Sequence, residues 1–318
     1  MISLEDHLAA AAGADPQRLA AVAAVRAIAA TGIALGARLA DGALFEEPGR
    51  IVGVNSDGDK QKALDVAAHG MFTDALLAAG VAAVGSEEAE AVIPGDPAGL
   101  VAAAFDPIDG SSHIGLAAAL GTFFSVLPAV PGGDAFLQAG RNQIAAGYLI
   151  YGHETVLGLT LGDGTYLFTL DRRDGRFKGG RKLQVPATSG EFGADMANRR
   201  HWPAKLTRFA DAALAGAAGP RGRDLRLRWQ SAAVVDMHRI LLAGGLFLYP
   251  ADARPDAANG RLRHVYEVNP IAMLVEQAGG RATDGNGAAI LDKVPAHLHA
   301  RAPIVCGSAD EVAQYEAG

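Results

Sequence analysis

Cysteine is almost absent: Cys306 stands alone in 318 residues, which excludes an internal disulfide, a four-cysteine zinc centre and a thiol-pair redox switch. A reducing, cytoplasmic compartment is the expectation. Runs of positive charge are scarce as well. The chain has 28 Lys and Arg against 35 Asp and Glu, a formal net charge of −7, and no basic cluster longer than Arg221 to Arg228. That argues against a nucleic-acid binder, whose affinity comes from neutralising many phosphates; a small anionic substrate would need local counter-charge. Long, strongly apolar runs are missing too. The greasiest stretch, Leu19 to Leu35, is mostly alanine and is broken by Arg26 and Thr31, so it reads as a packed helix rather than a membrane span. Met1 to Ala12 carries Glu5 and Asp6 where a secretory leader would carry basic residues. There is no Gly-x-Ser-x-Gly elbow and no fixed-period repeat. The nine histidines are scattered, and their one short-spaced pair, His297 and His299, reads as surface.

What remains is an ordinary globular composition, half apolar and one-fifth charged, despite 40 Gly and 15 Pro. Asp15 as a cap, Pro16 at the first helical position and Leu19, Val22, Val25 and Ala29 at three-to-four spacing predict an opening helix. A second helix follows Asp59, with Leu64, Ala68, Met71, Phe72 and Leu76 on its buried side. Short apolar runs separated by Gly, Asp and Pro then predict strands at Val81–Val84, Val101–Phe105, Thr122–Leu127, Ala145–Tyr151, Thr155–Leu161 and Tyr166–Leu170. Beyond Pro186 helices at Pro203–Leu214, Ala232–Ala243 and Glu267–Ala278 mix with extended segments at Leu246–Tyr249 and Ile304–Val305. The pattern is α/β, with layered sheets and helices in two halves that meet near residues 185 to 195. The boundaries adopted are 1–188 and 189–318.

The informative segment is Phe105-Asp106-Pro107-Ile108-Asp109-Gly110-Ser111-Ser112, which sets two carboxylates three residues apart around a proline. A rigid turn there would aim both acids at one point. The N–H groups and hydroxyls of Gly110, Ser111 and Ser112 would form an anion cradle beside them if a helix or turn begins here. Acids and anion donors together suggest a metal-bridged phosphate; an Asp-Pro turn followed by a serine cap is the plainer reading. Three further acidic sites weigh toward the former: Glu87 and Glu88 at the end of a short strand, Asp59 and Asp65 around a helix start, and Glu267 at another helix start, where a carboxylate set against the helix dipole is an adequate structural explanation. Oxygen ligands without histidine partners suit Mg²⁺, or Mn²⁺, better than zinc.

Taken together, Asp106 to Ser112, Ser86-Glu87-Glu88, Asp59 to Asp65 and Tyr266-Glu267-Val268-Asn269-Pro270 resemble class I fructose-1,6-bisphosphatase in order and spacing. The similarity runs on through Gly140 to Tyr148, Val235 to Arg239, Phe247 to Ala251 and Glu276 to Gly280. The Asp-Pro-Ile-Asp-Gly-Ser core is shared with the wider inositol monophosphatase superfamily, and the Tyr-Glu-x-Asn-Pro element is the better discriminator. The resemblance implies a layered α-β-α-β-α sandwich and hydrolysis of a sugar bisphosphate. It implies metal ligation by Glu87, Glu88, Asp106, Asp109, Glu267 and the carbonyl of Ile108. Water activation would fall to Asp59, Asp65 and Glu88. Asp109, Gly110, Ser111 and Ser112 would hold the departing phosphate, while Asp195, Asn198, Arg228, Trp229, Tyr249, Arg261 and Arg263 would lie near the substrate. Arg228 would come from a neighbouring subunit of a homo-oligomer, commonly a tetramer.

Several positions depart from that pattern. His113 and Gly115 replace an asparagine and an aspartate after the Gly-Ser-Ser run, Asp195 stands for an asparagine near the distal phosphate, Trp229 for a tyrosine and Arg261 for a lysine. An extra carboxylate beside a phosphate is unfavourable unless it is protonated or turned away, and arginine alters the donor geometry. These changes keep three alternatives open: a sedoheptulose-bisphosphate or bifunctional enzyme of the Calvin cycle, a catalytically weak phosphosugar-binding regulator, and a broader inositol or nucleotide phosphatase. Leu100-Val101 stands where AMP-inhibited members carry a Lys-Tyr pair, so weak or absent AMP inhibition is expected.

Overall fold

The computed structural model describes residues 1–44, 47, 49–54 and 60–318. Among these, nine strands form one sheet in the order Ile2–Ser3, Arg176–Lys182, Thr165–Asp171, Thr155–Thr160, Ala145–Tyr151, Leu120–Pro128, Val101–Asp109, Ala83–Ser86, Ile93–Pro94. Neighbours are antiparallel except that Ala83–Ser86 runs parallel to Val101–Asp109. A second sheet has five strands in the order Arg226–Leu227, Glu191–Ala194, Leu246–Tyr249, Ile304–Gly307, Arg281–Thr283.

Helices fill the three remaining layers. Helices α1 (Leu4–Ala12), α2 (Pro16–Asp41) and α3 (Ala63–Ala78) cover one face of the large sheet, where Leu8, Val25, Ile28 and Phe72 pack with Phe105, Phe124 and Leu157. Between the sheets, α5 (Ala233–Ala243) and α6 (Asn269–Gln277) bury Met237, Ile240, Ile271 and Leu274 against Phe123, Tyr148 and Phe247. On the outer face of the small sheet, α4 (Ala204–Leu214) and α7 (Ala309–Ala317) pack through Leu206, Phe209, Val312 and Tyr315. The expected α-β-α-β-α layering is what the chain forms.

Local sequence explains these elements. Asp15 accepts the Arg18 N–H at 2.8 Å and Pro16 opens α2 as predicted. This helix is long and apolar enough to cross a membrane, but Val22, Val25, Ile28 and Leu35 are buried against the sheet. Gly32 sits so close to Leu149 that a Cβ there would lie 2.6 Å from its side chain. Leu19, expected on the buried side, is 47% exposed, because the packed stripe starts one turn later at Ala21 and Val22.

Elements without an apolar signature escape the sequence reading. Arg176–Lys182 buries only Phe177, and α7 is half charged or polar. The second helix begins at Ala63, after a short hairpin of Ile51–Val54 with Lys60–Lys62. The helix expected over Glu267–Ala278 forms as α6, Asn269–Gln277, and its first two residues belong instead to a π-helical turn, His264–Val268, that runs into it.

Candidate active site

The strand Val101–Asp109 is buried along its whole length. Its small residues Ala102 and Ala104 let the His264–Val268 turn approach that face, bringing Val265 and Tyr266 into contact. The strand outlasts the predicted Phe105 and carries a β-bulge: Asp106 pairs with Phe123 and Asp109 with Gly121, three steps on one strand against two on the other. Strand side chains alternate, so residues three apart would ordinarily face opposite ways. The extra residue reverses that. Phe105 and Ile108 both enter the helix-side core, while carboxylate oxygens of Asp106, Asp109 and Glu267 all lie within 4.8 Å of one another.

Each of these acids is held by the backbone. Ile108 N–H donates to Asp106 Oδ1 at 2.9 Å, Val234 N–H in the first turn of α5 to Asp109 Oδ2 at 2.8 Å, and Arg263 N–H to Glu267 Oε2 at 2.6 Å. Beside them the guanidinium of buried Arg263 donates from Nε to Glu87 Oε1 at 3.3 Å. Glu87 leaves the end of Ala83–Ser86, its N–H on the Phe105 carbonyl at 3.2 Å. Glu88 follows, with its N–H on Ser86 Oγ at 3.3 Å. Burial, and after it repulsion from Glu87 and the other acids, pushes the carboxyls of Asp106 and Glu267 well up; Asp109 rises to about 7 by burial despite the Val234 N–H. Buried carboxylates this close suit a hard divalent cation.

Asp65 lies in the first turn of α3, where Lys62 N–H donates to its Oδ2 at 3.1 Å. Burial raises its carboxyl to about 6, and Oδ1 meets no donor among the described residues. Asp59 lies outside the described residues. Next to the acids, Gly110 takes φ +82°, and a Cβ there would come within 2.7 Å of Ala232 Cβ, so glycine is required. Ser111–His113 forms a single 3₁₀ turn, with Ser111 and Ser112 exposed and Lys62 Nζ on the Ser111 carbonyl at 2.6 Å. His113 turns away, its Nδ1 3.0 Å from the Ala119 carbonyl.

The residues expected around a distal phosphate form a second group. Trp229 stacks on Phe247 at 5.8 Å and meets Tyr249 edge-on at 5.4 Å. The half-buried Tyr249 phenol, its pKa raised by burial, feels Arg261, Glu267, Asp195 and Arg254, and so stands between the two groups. Asp195 caps its own turn through the Ala197 N–H at 3.2 Å and accepts from the Asn198 amide. The carboxylate is thus turned onto its own chain. Arg261 pairs with Asp256 at 2.8 Å, and Arg228 lies 3.4 Å from Glu191. Arg263 departs from this group: it is packed against Glu87 and Glu267.

Sequence reasoning missed Arg254, which grips Asp252 with two nitrogens and donates to Asn198 Oδ1 at 2.8 Å. It also missed the Val234 N–H, which no side-chain pattern announces. His299 is half-buried against Tyr266, at 5.7 Å between rings, while His297 is exposed as expected.

Two family models match. The one described as the N-terminal domain of fructose-1-6-bisphosphatase covers residues 22–181 and the one described as its C-terminal domain covers residues 185–318. The class is therefore that of the layered α/β phosphatases, hydrolases of phosphate esters. Among curated relatives, "Fructose-1,6-bisphosphatase class 1" of Brucella suis is 47% identical over 302 residues, 95% of this chain and 88% of its own length; that of Brucella anthropi is 46% identical over the same spans. The holo form of Leishmania major fructose-1,6-bisphosphatase superposes with a TM-score of 0.91 at 30% identity, covering 99% of this chain and 98% of that one. This chain belongs to the class 1 fructose-1,6-bisphosphatase family.

Proposed function

We propose that the protein removes the 1-phosphate of fructose 1,6-bisphosphate, releasing fructose 6-phosphate and inorganic phosphate, with Mg²⁺ as its metal and Mn²⁺ able to replace it. The observation that carries this reading is the convergence of Asp106, Asp109 and Glu267, with Glu87 beside them, next to the open Gly110–Ser112 turn. Glu87, Glu88, Asp106, Asp109, Glu267 and the Ile108 carbonyl would hold the metal. When bound, Mg²⁺ polarises phosphoryl oxygens and makes water acidic enough to attack. The chain does the rest. Gly110, Ser111 and Ser112 offer N–H and hydroxyl donors to the phosphate, and Arg263 fixes Glu87 while partly offsetting the acidic field. Asp65, raised to about 6, is ionised at neutral pH and presents Oδ1 as a proton acceptor, sharing that task with Asp59 and Glu88.

The phosphate remote from the reaction would lie among Asn198, Arg228, Trp229, Tyr249 and Arg261. Asp195 serves there as the partner of Asn198 rather than as a naked charge against phosphate, which removes the objection raised by its sequence. On this reading residues 1–188 contribute the metal acids Glu87, Glu88, Asp106 and Asp109, and residues 189–318 contribute Glu267 and the sugar-phosphate contacts. The protein would work in the cytoplasm as a homo-oligomer, a tetramer being favoured. Phosphate release from fructose, sedoheptulose and inositol phosphates, each with and without Mg²⁺, tests the proposal. Mg²⁺-dependent release is expected, fastest from fructose 1,6-bisphosphate. Release from none of them by folded protein would refute it.

A further inference from the structure

Helix α5 carries charged groups that the chemistry above does not use. Asp236 is fully buried, and its Oδ2 accepts the Gln230 N–H at 3.1 Å. One turn on, Arg239 lies 3.6 Å from Asp236 Oδ1 and donates to Glu191 Oε2 at 2.6 Å. The other oxygen of Glu191 is 3.4 Å from Arg228 Nε. Charges thus alternate from Arg228 through Glu191 and Arg239 to Asp236. The run closes on itself, because Arg228 and Gln230, gripped by side chain and by backbone, stand two residues apart in one segment.

That segment holds Arg228 and Trp229 and leads through Ala232, which abuts Gly110, to Val234, whose N–H binds Asp109. Losing Arg239 would leave the buried Asp236 carboxylate uncompensated, so the run favours a single arrangement. We infer that Glu191, Arg239 and Asp236 are positioning residues that set the Arg228–Trp229 segment for the phosphate remote from the reacting one. The inference rests on the bisphosphate reading above, and the same geometry applies whichever subunit's pocket Arg228 enters.

Fructose 1-phosphate, which keeps the reacting ester and lacks the remote phosphate, separates the two ideas. Wild-type protein that hydrolyses neither ester refutes the proposed function; a wild type indifferent between them refutes the remote-phosphate site and with it this inference. Where the wild type prefers the bisphosphate, Glu191→Gln, at a partly exposed position, is expected to lower kcat/KM for the bisphosphate about tenfold, through KM. The same variant should change kcat/KM for fructose 1-phosphate less than about twofold. Arg228→Ala should lose a similar factor, and the double variant little more, since the two residues act as a unit. Arg239→Lys, which keeps the charge without the two-sided fork, should reproduce the substrate-selective loss. Equal losses on both substrates, multiplicative losses in the double variant, or wild-type kinetics in Glu191→Gln would overturn the inference.

Discussion

At the residue scale, charge burial dominates. Asp109 is buried among acids and its carboxyl is raised to about 7, so without a cation it works against the fold. Asp109→Asn keeps an oxygen for the Val234 N–H and removes that charge. In chelator at pH 8 the variant is expected to be more stable than the wild type, by about 1 kcal/mol or more, while phosphatase activity falls at least about a hundredfold. Denaturant melts and initial rates on the same preparations check both signs; a less stable variant would contradict the assignment of strain.

His264 adds a pH dependence of its own on the acid side. Burial holds its imidazole near 4, below the ordinary value of about 6.5, so the folded chain keeps it neutral. Its contribution is complete above pH 6.5 and drains away as pH falls toward 4, because the unfolded chain takes up the proton first; the span is worth about 3 kcal/mol. His264→Gln should show a shallower loss between pH 7 and pH 4.5 in chemical denaturation. Parallel pH profiles for the two proteins would count against it.

At the scale of elements, caps and bulges decide where side chains go. Asp15 caps α2, and Asp15→Ala should lower stability by about 1 kcal/mol, seen as a shifted denaturant midpoint at unchanged slope. That helix was legible in advance because its cap, proline and apolar stripe agree. The bulge at Asp106–Asp109 was not. The sequence shows two acids around a proline and suggests a turn, whereas register against Leu120–Pro128 keeps the segment in the sheet and still aims both acids one way. Pairing partners of that kind lie across the fold and leave no local mark. The π-helical turn at Glu267 and the polar strand Arg176–Lys182 were illegible for the same reason, as neither follows a period of 3.6 or 2 with apolar residues on one face.

At the scale of the whole molecule, acids from three distant stretches meet only because the helix-backed sheet and the second half of the chain close on one another. The residue types of the candidate site could be read from the sequence through family motifs, while their supports, Arg254, Glu191 and the Val234 N–H, emerged only from packing. Regulation belongs to this scale as well. Leu100 is exposed, Val101 is buried, and neither can pair with a phosphate, so millimolar AMP should leave the steady-state rate essentially unchanged; inhibition in the micromolar range would contradict this.

The most direct test is anomalous diffraction from crystals soaked in Mn²⁺, with chelator-treated crystals for comparison. A Mn²⁺ peak within coordinating distance of carboxylate oxygens of Asp106, Asp109 and Glu267 is expected, and it should vanish in Asp109→Asn. Clear density for these three side chains at saturating Mn²⁺ with no anomalous peak among them would contradict the metal-dependent reading.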